Sequence, residues 1–276
     1  MPRKNLKKNL KLIQKGLKDK HAAIALKHKE SLPNFIIIGA AKSATTTLTT
    51  ILPKHPDIFI SKPKEPKFFG RYYNKGWDWY ASRFSEGQGS ALRGEGSTMY
   101  TSQMKAFKNT PELMHQYLPK LKLIYIVRHP LDRIISQWRH YRGRHPDCPD
   151  FSDFMDSKKL RRLIIGCSMY YQQLSRFREF YPDKQIHCMT FEDLLSDPKK
   201  SLRSTLQFLG VKPKIKKLLD ANGDLPRVNE AGDKGRAYVE KPKWNPILKW
   251  RVSRIIRHDS EQMLDYLGKP KTYWNL

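Results

Sequence analysis

The apolar run Phe35-Ile36-Ile37-Ile38 passes without a break into Gly39-Ala40-Ala41-Lys42-Ser43-Ala44-Thr45-Thr46-Thr47, and then into a helical spacing at Leu48, Ile51 and Leu52. A strand this short and this apolar belongs inside a parallel sheet, where both faces are covered. The loop after it is built from small and hydroxyl-bearing residues, which let backbone N–H groups converge on one point. The helix that follows brings its partial positive charge to the same place. Lys42 adds a mobile cation, and Ser43, Thr45, Thr46 and Thr47 add hydroxyl donors. The segment reads as a phosphate cradle at the carboxyl end of a strand.

The pattern repeats along the chain. Leu123-Ile124-Tyr125-Ile126-Val127 is a second buried strand followed by a helix from Pro130 to Tyr141, and Gln185 to Thr190 is a third strand flanked by helical spacings. Ile58-Phe59-Ile60 and Ala91-Leu92-Arg93-Gly94 are shorter strand patterns. A last helix near Ile247 to Leu267 carries Leu248, Val252, Ile255, Ile256, Met263 and Leu267 on one face. Strands separated by helices predict an α/β, P-loop-like three-layer fold, with a central parallel sheet and helices on both faces. Ligands in such folds bind beyond the carboxyl ends of the strands, which directs attention to residues 39–47 and 128–136. Residues 1–32 stand apart as a basic helical arm, ten Lys or Arg against Asp19 and Glu30, with Leu6, Leu10, Ile13 and Leu17 in one stripe. Residues 33–276 form a single domain, in which Asn222 to Lys243 is a long loop.

The phosphate loop departs from the Walker pattern G-x-x-x-x-G-K-[ST]. With Gly39 in register, Ala44 falls at the second glycine, Thr45 at the lysine and Thr46 at the hydroxyl position, so the cation has moved three residues upstream. A nucleoside triphosphatase of that type also wants an Asp beyond an apolar strand to hold magnesium. Here Leu123–Val127 runs into Arg128, which attracts an anion directly and repels a metal. Both departures point to a nucleotide phosphate site that works without metal, and they weigh against the rival reading of a kinase using ATP.

Lys42-Ser43-Ala44-Thr45-Thr46 resembles the 5′-phosphosulfate loop of the sulfotransferases that use 3′-phosphoadenylyl sulfate, with Ala44 standing where the family has glycine. Arg128-His129-Pro130-Leu131-Asp132-Arg133-Ile134-Ile135-Ser136 resembles the family's 3′-phosphate motif. The resemblance implies that Arg128 and Ser136 hold that phosphate, that Ser168 and Tyr170 lie on a helix lining the cofactor pocket, and that Lys234-Gly235-Arg236 closes over the phosphate end. It spans roughly residues 33 to 275, includes the ending Leu267-Gly268-Lys269-Pro270 with Tyr273-Trp274, and is nearest to heparan-type and bacterial members. It implies 3′-phosphoadenylyl sulfate as donor, adenosine 3′,5′-bisphosphate (PAP) as product, and no metal.

Sulfuryl transfer needs a base for the acceptor, a cation at the leaving oxygen, and alignment of the three reacting atoms. Lys64-Glu65-Pro66-Lys67-Phe68-Phe69 resembles the stretch of glycan sulfotransferases whose Glu is the base. Glu65 is therefore the expected base, with burial beside Phe68 and Phe69 tuning it upward against Lys62, Lys64 and Lys67. His129 titrates nearer neutrality, but it follows the arginine assigned to the far end of the nucleotide. Lys42 is expected at the leaving oxygen. Glu95-Gly96-Ser97-Thr98-Met99-Tyr100 resembles a segment lining the acceptor cleft, which makes Glu95 and Ser97 candidate contacts. Tyr72, Tyr73, Trp77, Trp79 and Tyr80 suit either sugar stacking or packing, and packing is the commoner use.

Lys plus Arg total 53 against 26 Asp plus Glu, a net charge of +27. That excess implies anionic partners, among them an anionic or glycan acceptor, or a membrane surface or partner touched by the basic arm. Nucleic acid is the other rival reading, but neither a helix-turn-helix, nor zinc-finger spacing, nor RNP aromatics are visible, so no specific nucleic acid is expected. No apolar run reaches the ~20 residues of a spanning helix. Cys148, Cys167 and Cys188 are widely spaced and odd in number, and no apolar leader follows Met1. Reduced thiols and a cytoplasmic location are expected.

Overall fold

The computed structural model describes residues 3–18, 28–226 and 237–276. In chain order its main elements are α1 (Arg3–Lys18), β1 (Phe35–Gly39), α2 (Thr45–Ile51), β2 (Ile58–Ile60), α3 (Trp77–Ala81), β3 (Leu92–Glu95), α4 (Thr110–Tyr117), β4 (Lys122–Val127), α5 (Pro130–Arg142), α6 (Lys158–Ile164), α7 (Tyr170–Arg178), β5 (Ile186–Thr190), α8 (Phe191–Ser196), α9 (Pro198–Leu209) and α10 (Pro246–Tyr266). All five strand patterns in the sequence become strands of one sheet. Its order is β2-β3-β1-β4-β5 and every neighbouring pair is parallel.

Both faces of the central strands are covered, and the two-residue period of the strand sorts their side chains. Phe35 and Ile37 of β1 and Ile124 and Ile126 of β4 pack with Leu48, Ile51 and Leu52 around α2 and with Leu202 and Leu206 of α9. Ile36, Ile38, Leu123, Tyr125 and Val127 point the other way. They meet Phe68, Tyr80, Tyr100, Leu174 of α7 and Met263 of α10. A third cluster builds outward from α5, where Ile134, Ile135 and Trp138 pack on Phe151, Phe154, Ile164, Val252 and Ile256. The helices start where local chemistry allows. Asp197 accepts the Lys200 N–H at 2.9 Å ahead of α9, Asn245 accepts the Ile247 N–H at 2.9 Å ahead of α10, and a proline holds the first position of each.

The described part of the basic arm packs onto the domain. Ile13 is buried, Asn9 binds the Gly70 carbonyl and accepts the Asn74 N–H at 2.9 Å, and Gln116 of α4 donates to the Gly16 carbonyl at 2.7 Å. Lys7, Lys8, Lys11 and Lys15 remain exposed. Among the described residues no helix is long and apolar enough to cross a membrane. Residues 237–243 of the long loop carry no regular element, and residues 227–236, with Lys234, Gly235 and Arg236, lie outside the described residues.

The topology fixes where a ligand crevice opens. The chain leaves β1 toward β2 on one side of the sheet and leaves β4 toward β5 on the other. The seam between β1 and β4 is the switch point, and residues 39–47 and 128–136 follow those two strands.

Candidate active site

The loop after β1 is held tightly against its neighbours. A Cβ at Gly39 would lie 2.0 Å from Thr101 Oγ1 and 3.2 Å from Tyr125 Cε2, so only glycine fits there. The Ala40 N–H donates to the Ile126 carbonyl of β4 at 2.7 Å, and the Ser43 N–H to the Ala40 carbonyl at 3.2 Å. Lys42 and Ala44 both adopt left-handed backbone, with φ of 74° and 62°. That conformation costs a non-glycine residue about 1–2 kcal/mol, so the methyl group of Ala44 fits at the price of strain. α2, which follows the loop, has seven residues.

The second motif comes to the same place. Arg128 directly follows β4, its guanidinium lies 4.6 Å from the Phe191 ring centroid, and its Nε is buried without a hydrogen-bond partner among the described residues. Ser43 Oγ is buried and unpartnered in the same sense. Two orphaned polar atoms, one in each motif, fit a ligand with an anion at each end. Ser136 is half-buried on α5, one turn before His140. Lys42 Nζ lies 3.4 Å from His140 Nδ1, so the loop lysine reaches the helix that carries Ser136.

Arg133 ties these parts together. It is fully buried and donates to the Ala41 carbonyl at 3.3 Å, to Ser168 Oγ at 2.7 Å and to the Ile164 carbonyl. Among the described residues no carboxylate lies within ion-pair distance of it. A permanent cation thus sits behind the phosphate loop with only neutral acceptors, adding a positive field at the seam.

The Glu65 segment approaches from the β2 side. Phe68 and Phe69 anchor it in an aromatic cluster, where Phe68 stacks on Tyr80 at 4.3 Å and the Phe69 N–H donates to Tyr100 Oη at 3.2 Å. Glu65 Oε2 pairs with Lys67 Nζ at 2.9 Å and Oε1 with Lys64 Nζ at 3.4 Å. Lys64 Nζ also donates to Thr46 Oγ1 of the phosphate loop at 2.8 Å. Burial pushes the Glu65 carboxyl up, but Lys67 and Lys64 outweigh it and hold the group below its ordinary value. The upward tuning expected from Phe68 and Phe69 is therefore reversed. Glu65 is fully ionised near neutral pH and a weaker base than burial alone would make it.

Glu95 and Ser97 are fully buried, with their polar atoms engaged inside the protein rather than facing an acceptor cleft. Glu95 accepts from Tyr80 Oη at 2.7 Å, Tyr100 Oη at 3.1 Å and Ser97 Oγ. Burial pushes its carboxyl up to about 7. Ser97 Oγ in turn accepts the Lys67 N–H at 2.8 Å. Tyr170 is also fully buried. Its hydroxyl donates to the Arg128 carbonyl at 2.7 Å, so it braces the arginine's backbone from the core. Ser168 is occupied by Arg133. Trp77 and Tyr80 are packing residues, while Trp79 carries Lys75 at 4.4 Å over its ring nearer the surface. Arg133 and His140 were not singled out from sequence. Their spacing from Ser136, three residues before and four after, places all three on one side of α5 and was the available signal.

Residues 32–229 match the family model described as "Sulfotransferase domain", and the chain belongs to that family. It is 31% identical over 189 residues to the mouse heparan sulfate glucosamine 3-O-sulfotransferase 3B1, covering 66% of this chain and 47% of that protein. It is 29% identical over 289 residues to the cattle bifunctional heparan sulfate N-deacetylase/N-sulfotransferase 2, covering 92% of this chain and 32% of the relative. The chain thus spans half or less of the length of these curated relatives. Among solved structures, a sulfotransferase from Alicyclobacillus acidocaldarius superposes with a TM-score of 0.71 at 21% identity, over 88% of this chain and 98% of the other. That likeness speaks to the fold.

Proposed function

We propose that this domain transfers the sulfuryl group of 3′-phosphoadenylyl sulfate to a hydroxyl or amine of an anionic or glycan acceptor, by in-line displacement and without metal. The observation that supports this reading is that the loop after β1 and the segment after β4 meet at the β1–β4 seam, linked by the approach of Lys42 to His140. In this reading the loop Lys42, Ser43, Ala44, Thr45, Thr46 and Thr47 receives the 5′-phosphosulfate. Arg128 and Ser136 receive the 3′-phosphate, and Lys234, Gly235 and Arg236 close over the phosphate end. Glu65 takes the acceptor proton as the new S–O or S–N bond forms. Lys42 neutralises the charge that grows on the phosphate oxygen as the old S–O bond breaks, an interaction stronger in the transition state than in the ground state. A glycan acceptor is supported by the net charge of +27 and by the family relationship to the two heparan sulfate enzymes.

Incubation with 35S-labelled donor, EDTA and a panel of polysaccharides tests the reading. Label is expected in a heparan-type chain and absent from neutral dextran. No transfer to any acceptor, together with stabilisation by magnesium-ATP and none by PAP, would replace the sulfotransfer reading with the kinase one.

A further inference from the structure

We infer that Lys64 is a second catalytic cation of the transfer site, shared between the phosphate loop and Glu65 until the donor's phosphosulfate takes it over. This rests on the sulfotransfer reading above and adds a residue to it. Three lysines surround Glu65 in sequence, and they part company in space. Lys62 is 72% exposed and pairs with Glu86 at 2.6 Å. Lys67 pairs with Glu65 at 2.9 Å. Lys64 alone of the three also reaches the loop, donating to Thr46 Oγ1 at 2.8 Å while its Nζ lies 3.4 Å from Glu65 Oε1.

Its backbone is fixed for that reach. The Lys64 carbonyl accepts the Gly96 N–H at 2.7 Å, and a Cβ on Gly96 would sit 2.5 Å from Thr49 Cγ2 of α2, so this strip is seated directly against the phosphate-loop helix. Thr46 stands at the end of the loop, and Lys64 Nζ already bonds its hydroxyl, so an anion seated on residues 42–47 falls within reach of Lys64. Lys42 leans toward α5 on the β4 side of the seam, and Lys64 arrives from the β2 side, so the two ammonium groups bracket the loop.

The arrangement couples donor binding to the base. Without donor, Lys64 and Lys67 both stabilise ionised Glu65. A phosphosulfate that draws Lys64 to itself leaves Glu65 facing Lys67 and the buried Glu95 carboxyl, and so makes it a stronger proton acceptor when the group to be transferred is in place.

Lys64→Met and Lys64→Gln, which remove the charge at near-constant length, test this by calorimetric titration with PAP and by turnover with labelled donor. A charge-assisted hydrogen bond is worth about 1.5–3 kcal/mol, so PAP affinity is expected to fall about 10–100-fold in both variants. Turnover is expected to fall by at least tenfold, with partial recovery in Lys64→Arg. Lys67→Met is expected to hold PAP affinity within about threefold, and Lys62→Met is expected to match wild type in every readout. PAP affinity decides: a value within twofold of wild type in folded Lys64→Met or Lys64→Gln overturns the inference. Wild-type protein that fails to bind PAP would instead overturn the sulfotransfer reading itself.

Discussion

Glu65→Gln is expected to cut turnover by about 10²–10⁴, the range of a lost general base, while PAP affinity holds or tightens slightly. The amide keeps the shape of the carboxylate but carries no charge and cannot take a proton at neutral pH. It also releases Lys64, which the carboxylate shares with the phosphate loop, so nothing in the change weakens the nucleotide site. The pH dependence separates this base from an imidazole. Lys67 and Lys64 hold Glu65 below the ordinary glutamate value against its burial, so its basic form is complete at neutral pH and is lost only as pH falls through the carboxylate range. The acid limb of kcat/KM for the donor, which reports the donor-free enzyme, is expected there. A limb near the imidazole value of about 6.5 that survives Glu65→Gln would move the base to a histidine. Loss of PAP binding in Glu65→Gln would make the residue structural.

Lys42→Ala is expected to lower turnover by about 10²–10³, the scale of one lost preorganised donor, with a smaller change in donor KM. Lys42 sits in left-handed backbone between Ala41 and Ser43 and extends to His140. Alanine keeps the loop's conformational cost and removes the ammonium group. The thermal midpoint without ligand should therefore stay close to wild type, which isolates the effect to chemistry. Wild-type turnover in this variant would remove Lys42 from the mechanism.

Much of the framework was legible because its signals are local. An all-apolar strand, a small-residue loop and a helical spacing occupy consecutive residues in 35–52, and at 123–141 an apolar strand runs through Arg128 and His129 into a helical spacing. Their meeting at one seam was not local, since it depends on strand order, and it follows once β1 and β4 are neighbours. Residues whose setting the sequence does not show share one property: their surroundings are set by burial. Arg133 looks like any surface cation in a chain with 53 Lys and Arg, yet it is wholly enclosed and clamps the Ala41 carbonyl. Glu95, Ser97, Ser168 and Tyr170 look available for ligands and are instead spent on interior hydrogen bonds. The sign of the shift at Glu65 was equally hidden. It depends on which two of three neighbouring lysines turn inward.

The most direct measurement is a crystal structure of the protein with PAP grown in EDTA. The expected result is one PAP molecule spanning the β1–β4 seam, its 5′-phosphate among Lys42 to Thr47 and its 3′-phosphate on Arg128 and Ser136. A PAP molecule bound at one motif alone, with Lys42 and Arg128 facing separate clefts, would contradict the reading.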